Sequence, residues 1–160
     1  MKKISFREFL KSDVEKMTIV MKQAFDYDFQ INNMGDEGGP EGYDNGEFLR
    51  KNALDEEATS FVISYGEEEI GVVILWIKND QKNYLGCLFI EPRFEDNGLG
   101  TLIFKKIEEM YPKTKSWETT TPIYSRKNQN FYINKLGFHA IRIINPKDLK
   151  EGQFVLKKVY

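Results

Sequence analysis

The sequence predicts a mixed α/β fold of the α+β kind, one sheet with helices against it, in the order β-α-α-β-β-β-α-β-α-β-β. Three observations lead there. Residues 59–65 and 70–77 are β-branched and aromatic runs separated by Gly66-Glu67-Glu68-Glu69, the pattern of a hairpin. Two other segments repeat their apolar residues at helical spacing: Val14, Met17, Met21, Ala24 and Phe25, then Leu99, Leu102, Ile103, Ile107 and Met110. Just before the second of these, an apolar strand ends in Glu91-Pro92, a polar turn comes next, and Gly98 and Gly100 open a helix at Leu99.

Taken in order, Ile4 and Phe6 alternate with polar neighbours as a short strand does, and Ser12-Asp13-Val14-Glu15 is a capping-box pattern that opens the first helix. From 30 to 46 the composition turns to Asn, Gly, Asp, Glu and Pro, a loop, and a second helix runs over about 47–54. After the hairpin and a polar loop at 78–83, a further strand covers 84–90. The helix from Leu99 keeps Lys105, Lys106, Glu108 and Glu109 outside and has Pro112 beyond its end. A strand near 116–120, a helix near 126–136 stopped by Gly137, and strands near 140–144 and 154–159 complete the chain.

The 160 residues suit one domain, 1–160, long enough to bury a sizeable core. No linker-like shift, internal repeat or low-complexity tract divides them. With 41% hydrophobic and 30% charged residues and a net charge of −2, the composition is that of a soluble globular protein and carries no nucleic-acid footprint. One cysteine, Cys87, and one histidine, His139, assemble neither a disulfide framework nor a Cys/His metal cage, so no metal is expected. Hydrolase triads or dyads would all rest on His139. No run approaches the twenty or so apolar residues of a membrane span, and a cytoplasmic address is the default expectation.

Chemistry concentrates in two runs. The first, 89–100, places free backbone N–H groups at the positive end of a helix, where an anion is stabilised. It is neither a Rossmann fingerprint, which needs a glycine where Ile103 stands, nor a P-loop, because Gly100 is followed by Thr101-Leu102. A tight strand-to-helix turn is the plainer reading. The second run is Phe131-Tyr132-Ile133-Asn134-Lys135-Leu136-Gly137-Phe138.

Both runs, in this order and spacing, resemble the GNAT superfamily of N-acetyltransferases. Trp117-Glu118-Thr119-Thr120-Thr121-Pro122, Arg126-Lys127-Asn128-Gln129-Asn130 and Pro40-Glu41-Gly42-Tyr43-Asp44-Asn45 look like a small bacterial single-domain branch of it, so the resemblance covers nearly the whole chain. It implies an acyl-CoA N-acyltransferase fold with acetyl-CoA as acyl donor. Backbone amides around Asn97, Gly98, Gly100 and Thr101 would hold its pyrophosphate. The strand Leu88-Phe89-Ile90 would lie along the pantetheine arm and direct an amide at the thioester oxygen, where negative charge collects during acyl transfer. Asn128 would hydrogen-bond the same arm, and Tyr132 would serve as general acid to the departing thiolate. Glu95 departs from the family's Arg or Gln at that place, and a carboxylate beside a pyrophosphate is unfavourable unless it points to solvent.

Each residue also has a plainer reading: Leu88 and Ile90 as core, Tyr132 as a half-buried aromatic, Asn128 as a solvated amide, Trp76 and Trp117 as core. Taking a proton from the amine falls to Glu118 on strand alternation, or to Tyr84, and Glu118 reads equally as a surface residue. Eight carboxylates between Asp36 and Glu57 face only Arg50 and Lys51. They make either a solvated acidic loop or a wall that attracts a cationic amine. The expected function is direct acetyl transfer to a primary amine of a small molecule or protein. The alternatives are a non-catalytic acyl-CoA-binding module and a transferase for another acyl group. The alternation in Phe154-Val155-Leu156 is compatible with a homodimer.

Overall fold

In the computed structural model, which describes residues 2–160, the chain folds around a seven-stranded sheet. The strands are β1 Ile4–Glu8, β2 Thr59–Tyr65, β3 Glu68–Trp76, β4 Lys82–Ile90, β5 Ser116–Pro122, β6 His139–Ile144 and β7 Gln153–Val159. Their spatial order is β1-β2-β3-β4-β5-β7-β6, and every neighbouring pair is antiparallel except β4 and β5, which run parallel. The helices are α1 Val14–Ile31, α2 Glu47–Asn52, α3 Leu99–Met110 and α4 Arg126–Gln129, so the element order is the one the sequence predicts.

Strand alternation divides the core into two layers, one on each face of the sheet. Val62, Val72, Ile74 and Phe89 face α1 and α2, where they meet Met17, Met21, Ala24 and Leu49. Ile63, Val73, Leu75, Leu85 and Ile90 face the other way, onto Ile103, Phe104 and Ile107 of α3, with Trp117, Tyr132 and Phe138 closing the layer. Sheets covered on both faces read as continuous apolar runs, as β3 does from Ile70 to Leu75. Among the described residues, no helix is long and apolar enough to cross a membrane.

Local structure departs from expectation in four places. The first helix is entered through a 3-10 turn, Lys11–Asp13, and the capping carboxylate is Asp13 rather than a Ser12 box: its Oδ2 accepts the Leu10 N–H at 2.8 Å. The helix expected over 126–136 is α-helical only to Gln129 and then widens into a π-helical turn, Asn130–Lys135. The acidic loop after α1 folds back on the helix, because Asp26 accepts hydrogen bonds from Lys22 Nζ at 2.6 Å, Gly38 N–H at 3.1 Å and the Tyr43 hydroxyl at 2.6 Å. The alternation at 154–156 serves the chain's own core, with Val155 and Leu156 fully buried. The exposed apolar edge is instead β6, with Ile141, Ile143 and Ile144.

Two irregularities of β4 shape the middle of the sheet. Leu75 faces Leu85 and Ile74 faces Cys87, so Gly86 is an extra residue opposite none, a β-bulge that reverses which face its successors occupy. On its other side β4 pairs with β5 only through Lys82, Asn83 and Tyr84. Beyond Tyr84 the two strands part, and Thr119 Oγ1 donates to the Leu85 carbonyl at 2.8 Å across the opening.

Candidate active site

Two cavities open where β4 and β5 part. Leu88, Phe89 and Ile90 form one wall of the first, Gly98, Leu99, Gly100 and Thr101 form its end, and Lys127, Asn128 and Tyr132 face them. The backbone of Leu88–Ile90 lacks a ladder partner toward β5, so its N–H and C=O groups on that side are open to an extended ligand. At the end of the cavity Gly98 is the N-cap of α3, at φ +76° and without a side-chain cap. The first helical bond runs from the Leu102 N–H to the Gly98 carbonyl at 3.2 Å. The N–H groups of Leu99, Gly100 and Thr101 therefore have no intrahelical partner, and together with the helix dipole they favour an anion.

The two glycines have different reasons. A side chain at Gly98 would meet open space, but the left-handed backbone there excludes most residues. At Gly100 a Cβ would lie 2.8 Å from the Phe131 ring, so the bare backbone lets α3 approach the turn that carries Tyr132. An anionic acyl-CoA fits this groove: orphan amides at one end, an open strand edge along it, and a buried phenol at the other.

Glu95 does not point to solvent. Its side chain is 12% exposed and turns inward, where Oε1 accepts from Lys127 Nζ at 2.7 Å and Oε2 is buried without a partner. Burial pushes the carboxyl above its usual range, Lys127 opposes that, and Asp28 and Asp96 add to it. One oxygen of the carboxylate at the anion turn is thus met by a lysine 32 residues away, a partner with no signal in the sequence.

The second cavity, about 380 Å³, lies on the α1/α2 side and is walled by aromatic rings from several elements. Phe25, Leu88, Asn128 and Tyr132 line both cavities, so the two meet at these four side chains. Tyr132 belongs to the α3-side core layer and reaches the junction from the π-helical turn. Burial holds its phenol well above the usual tyrosine range, with Cys87 and Tyr84 adding to the effect, so it is protonated throughout the neutral range. Burial likewise pushes the Cys87 thiol up to about 12, which leaves negligible thiolate for nucleophilic attack.

Of the residues named from the sequence, Leu88, Phe89, Ile90, Gly98, Gly100, Thr101, Asn128 and Tyr132 all line the first cavity. Asn97 does not: it is exposed on the outside of the turn, between Asp96 at φ +61° and Gly98. Glu118 lines neither cavity. It stands near the start of β5 with its carboxylate 3.8 Å from Arg142, while Tyr84 lines the second cavity with its hydroxyl 3.4 Å from Thr120 Oγ1. Trp76 is a half-buried cavity wall rather than core, whereas Trp117 is fully buried. Phe25, Asp28 and Lys127 are the site residues sequence reasoning missed, and the helical stripe containing Phe25 was the one available clue.

Known proteins share this fold. Residues 22–138 match the model of the Acetyltransferase (GNAT) family. The Bacillus subtilis (strain 168) protein YrkN is 34% identical over 84 residues, 52% of this chain but only 45% of YrkN, so the match spans under half of that relative. An acetyltransferase of Thermus thermophilus superposes with a TM-score of 0.76 at 15% identity, over 98% of this chain and 97% of that one. The PaiA N-acetyltransferase of Thermoplasma acidophilum, solved in complex with coenzyme A, gives 0.75 at 16% identity over 99% of both chains. At such identities the solved structures speak for the fold alone. The family model runs from within α1, across the open β4 edge and the glycine turn, to the last residue of the Tyr132 run, and on that ground the chain belongs to the acetyltransferase (GNAT) family.

Proposed function

We propose that the protein is an acetyl-CoA-dependent N-acetyltransferase, a single domain that moves the acetyl group directly onto a primary amine. One observation carries this reading: the groove suited to acyl-CoA and a separate cavity meet at Tyr132, Asn128, Leu88 and Phe25. A binding module needs the groove alone, while a transferase needs two ligands brought to one point.

Acetyl-CoA would supply the acetyl group and a thiolate leaving group, the N–C bond forming as the C–S bond breaks. Leu99, Gly100 and Thr101 hold the pyrophosphate through their amides, and Leu88–Ile90 orient the extended arm. Tyr132 holds the proton that the departing sulfur accepts or shares. Tyr84, which lines the amine's cavity, relays the proton the amine loses, its hydroxyl oxygen taking that proton while its own O–H proton passes to water, a role its position supports better than that of Glu118. Cys87 stays a neutral thiol, which favours direct transfer over an acetyl-cysteine.

The inward carboxylate of Glu95 gives some weight to a second reading, a non-catalytic acyl-CoA-binding module. Calorimetric titration with acetyl-CoA, followed by an amine panel, separates the two. Micromolar binding, about −8 kcal/mol, with release of free thiol on adding an amine is the expected result. Binding without turnover leaves the module, and no binding at millimolar acetyl-CoA ends both readings.

A further inference from the structure

The cavity opposite the acyl-CoA groove is lined by aromatic rings together with uncharged polar groups such as Asn52, Thr120 and Gln153. Its rings are Phe25 and Phe29 of α1, Phe48 of α2, Trp76 of β3, Tyr84 of β4 and Tyr124 of the loop after β5. Phe29 and Tyr124 meet edge to face with centroids 5.5 Å apart, and Trp76 and Tyr84 stand 6.1 Å apart. Trp76 is held in place by the bulge: a Cβ on Gly86 would lie 2.1 Å from the indole, so the ring rests against bare backbone.

Charge is nearly absent from the lining. Among its lining side chains Lys150 and Glu151 are the charged ones, Lys150 Nζ lying 5.9 Å from the Phe29 ring centroid, while the buried Asp28 lines the adjoining groove and faces Tyr124 from there. The acidic stretch between 36 and 57, which the sequence offers as a wall for cations, gives the cavity Gly39, Pro40, Phe48 and Asn52 and none of its carboxylates. Glu37 is paired with Lys22, which also holds Asp26.

Resting on the N-acetyltransferase reading, we infer that the acceptor is a primary amine carried on an aromatic or branched apolar body, and not a polyamine. The attacking nitrogen has to reach Tyr132 as a free amine, with the remainder of the molecule among the rings. An aryl or branched alkyl body fills that space and releases water. A polyamine would bring further ammonium groups there, to face one carboxylate and one lysine. Ring faces attract cations, yet they offset only part of the cost of removing a charge from water.

The test uses the purified full chain at saturating acetyl-CoA, with initial rates for 2-phenylethylamine, isoamylamine and spermidine. Phenylethylamine is expected to exceed spermidine in kcat/KM by about tenfold or more, with isoamylamine between. Trp76→Ala should lower kcat/KM for phenylethylamine about tenfold and leave the acetyl-CoA Kd within about twofold, since Trp76 lies outside the acyl-CoA groove. Should that variant fail to fold, Phe48→Leu provides the same comparison with a smaller volume change. Spermidine turned over as well as phenylethylamine, or better, overturns the inference while leaving the N-acetyltransferase reading intact. Binding of acetyl-CoA with no acetylation of any amine overturns both.

Discussion

In the proposed reaction Tyr132 and Glu95 are the two side chains that matter most, and both are defined by burial. Because desolvation raises the Tyr132 phenol above its ordinary value of 10.0, the proton is present at every pH below that, and its loss cannot shape the rate between pH 7 and 9. Tyr132→Phe is expected to lower kcat about a hundredfold with little change in KM for acetyl-CoA. A kcat within about twofold of the parent removes Tyr132 from the proton path. Glu95 works against the anion that its own turn attracts. Its carboxyl titrates above the ordinary glutamate range, so protonation on lowering the pH should tighten acetyl-CoA, and ionisation on raising it should loosen the complex. Glu95→Gln removes the charge at nearly constant shape. It should tighten acetyl-CoA about threefold to tenfold at pH 7 and flatten that pH dependence, measured by calorimetry from pH 5 to 8. Weaker binding by the glutamine variant would mean that the carboxylate's hold on Lys127 matters more than its repulsion.

At the scale of elements, position along the chain was readable and mutual placement was not. The amphipathic stripe of α3, the Glu-Pro strand end and the paired glycines fixed β4, the turn and α3, because each obeys a local rule of period or backbone freedom. The resemblance in the second run led to Tyr132. Nothing local told that the helix after Ser125 would widen into a π-helical turn, that Gly86 would be an unpaired bulge, or that β4 and β5 would part after Tyr84. Each of these is decided by packing between segments distant in sequence. Glu118 shows the limit well: alternation put it on a face of β5, but only the tertiary structure shows that it stands where the strands still pair, before the opening. Gly100 makes the same point from the other side. Its motif was legible and its neighbour Phe131 was not. Gly100→Ala should push Phe131 away and separate α3 from the Tyr132 turn, weakening acetyl-CoA about tenfold, or about 1.4 kcal/mol. Leu102→Ala, on the exposed face of α3, should leave the Kd unchanged in the same titration. Equal affinities for the two variants would show that the groove does not depend on that close approach.

Across the whole molecule, ion pairs tie the N-terminal half to the sheet, and they set its response to acid. Arg7 in β1 grips Asp13 with two hydrogen bonds, at 2.9 and 2.7 Å, and donates a third through Nε to Glu69 in β3 at 2.7 Å, while Lys16 of α1 reaches the other oxygen of Glu69 at 3.0 Å. The Arg7 guanidinium holds the Asp13 carboxyl below its usual range. At Glu69 burial pushes upward, but the hydrogen bonds from Lys16 and Arg7 outweigh it, and the balance is again downward. Asp26 follows the same pattern, burial opposed and exceeded by Lys22, Tyr43 and the Gly38 amide. A carboxylate whose folded pKa is depressed contributes stability above its unfolded value and loses it as pH falls through the folded one. The ordinary values here are 3.8 for the aspartates and 4.5 for Glu69, so the loss begins below about pH 5 and deepens toward pH 3. Glu95, with its pKa raised, has the opposite sign and offsets part of it. All three acid-sensitive groups anchor α1, its loop or their junction with β1 and β3, and none lies in the layer around Trp117. Urea midpoints should therefore be level from pH 8 to 6 and fall below pH 5. Asp13→Asn should cost about 1 to 2 kcal/mol at pH 7 and reduce the acid slope. A midpoint unchanged down to pH 3 would show that these pairs are equally satisfied in the unfolded chain and hold nothing together.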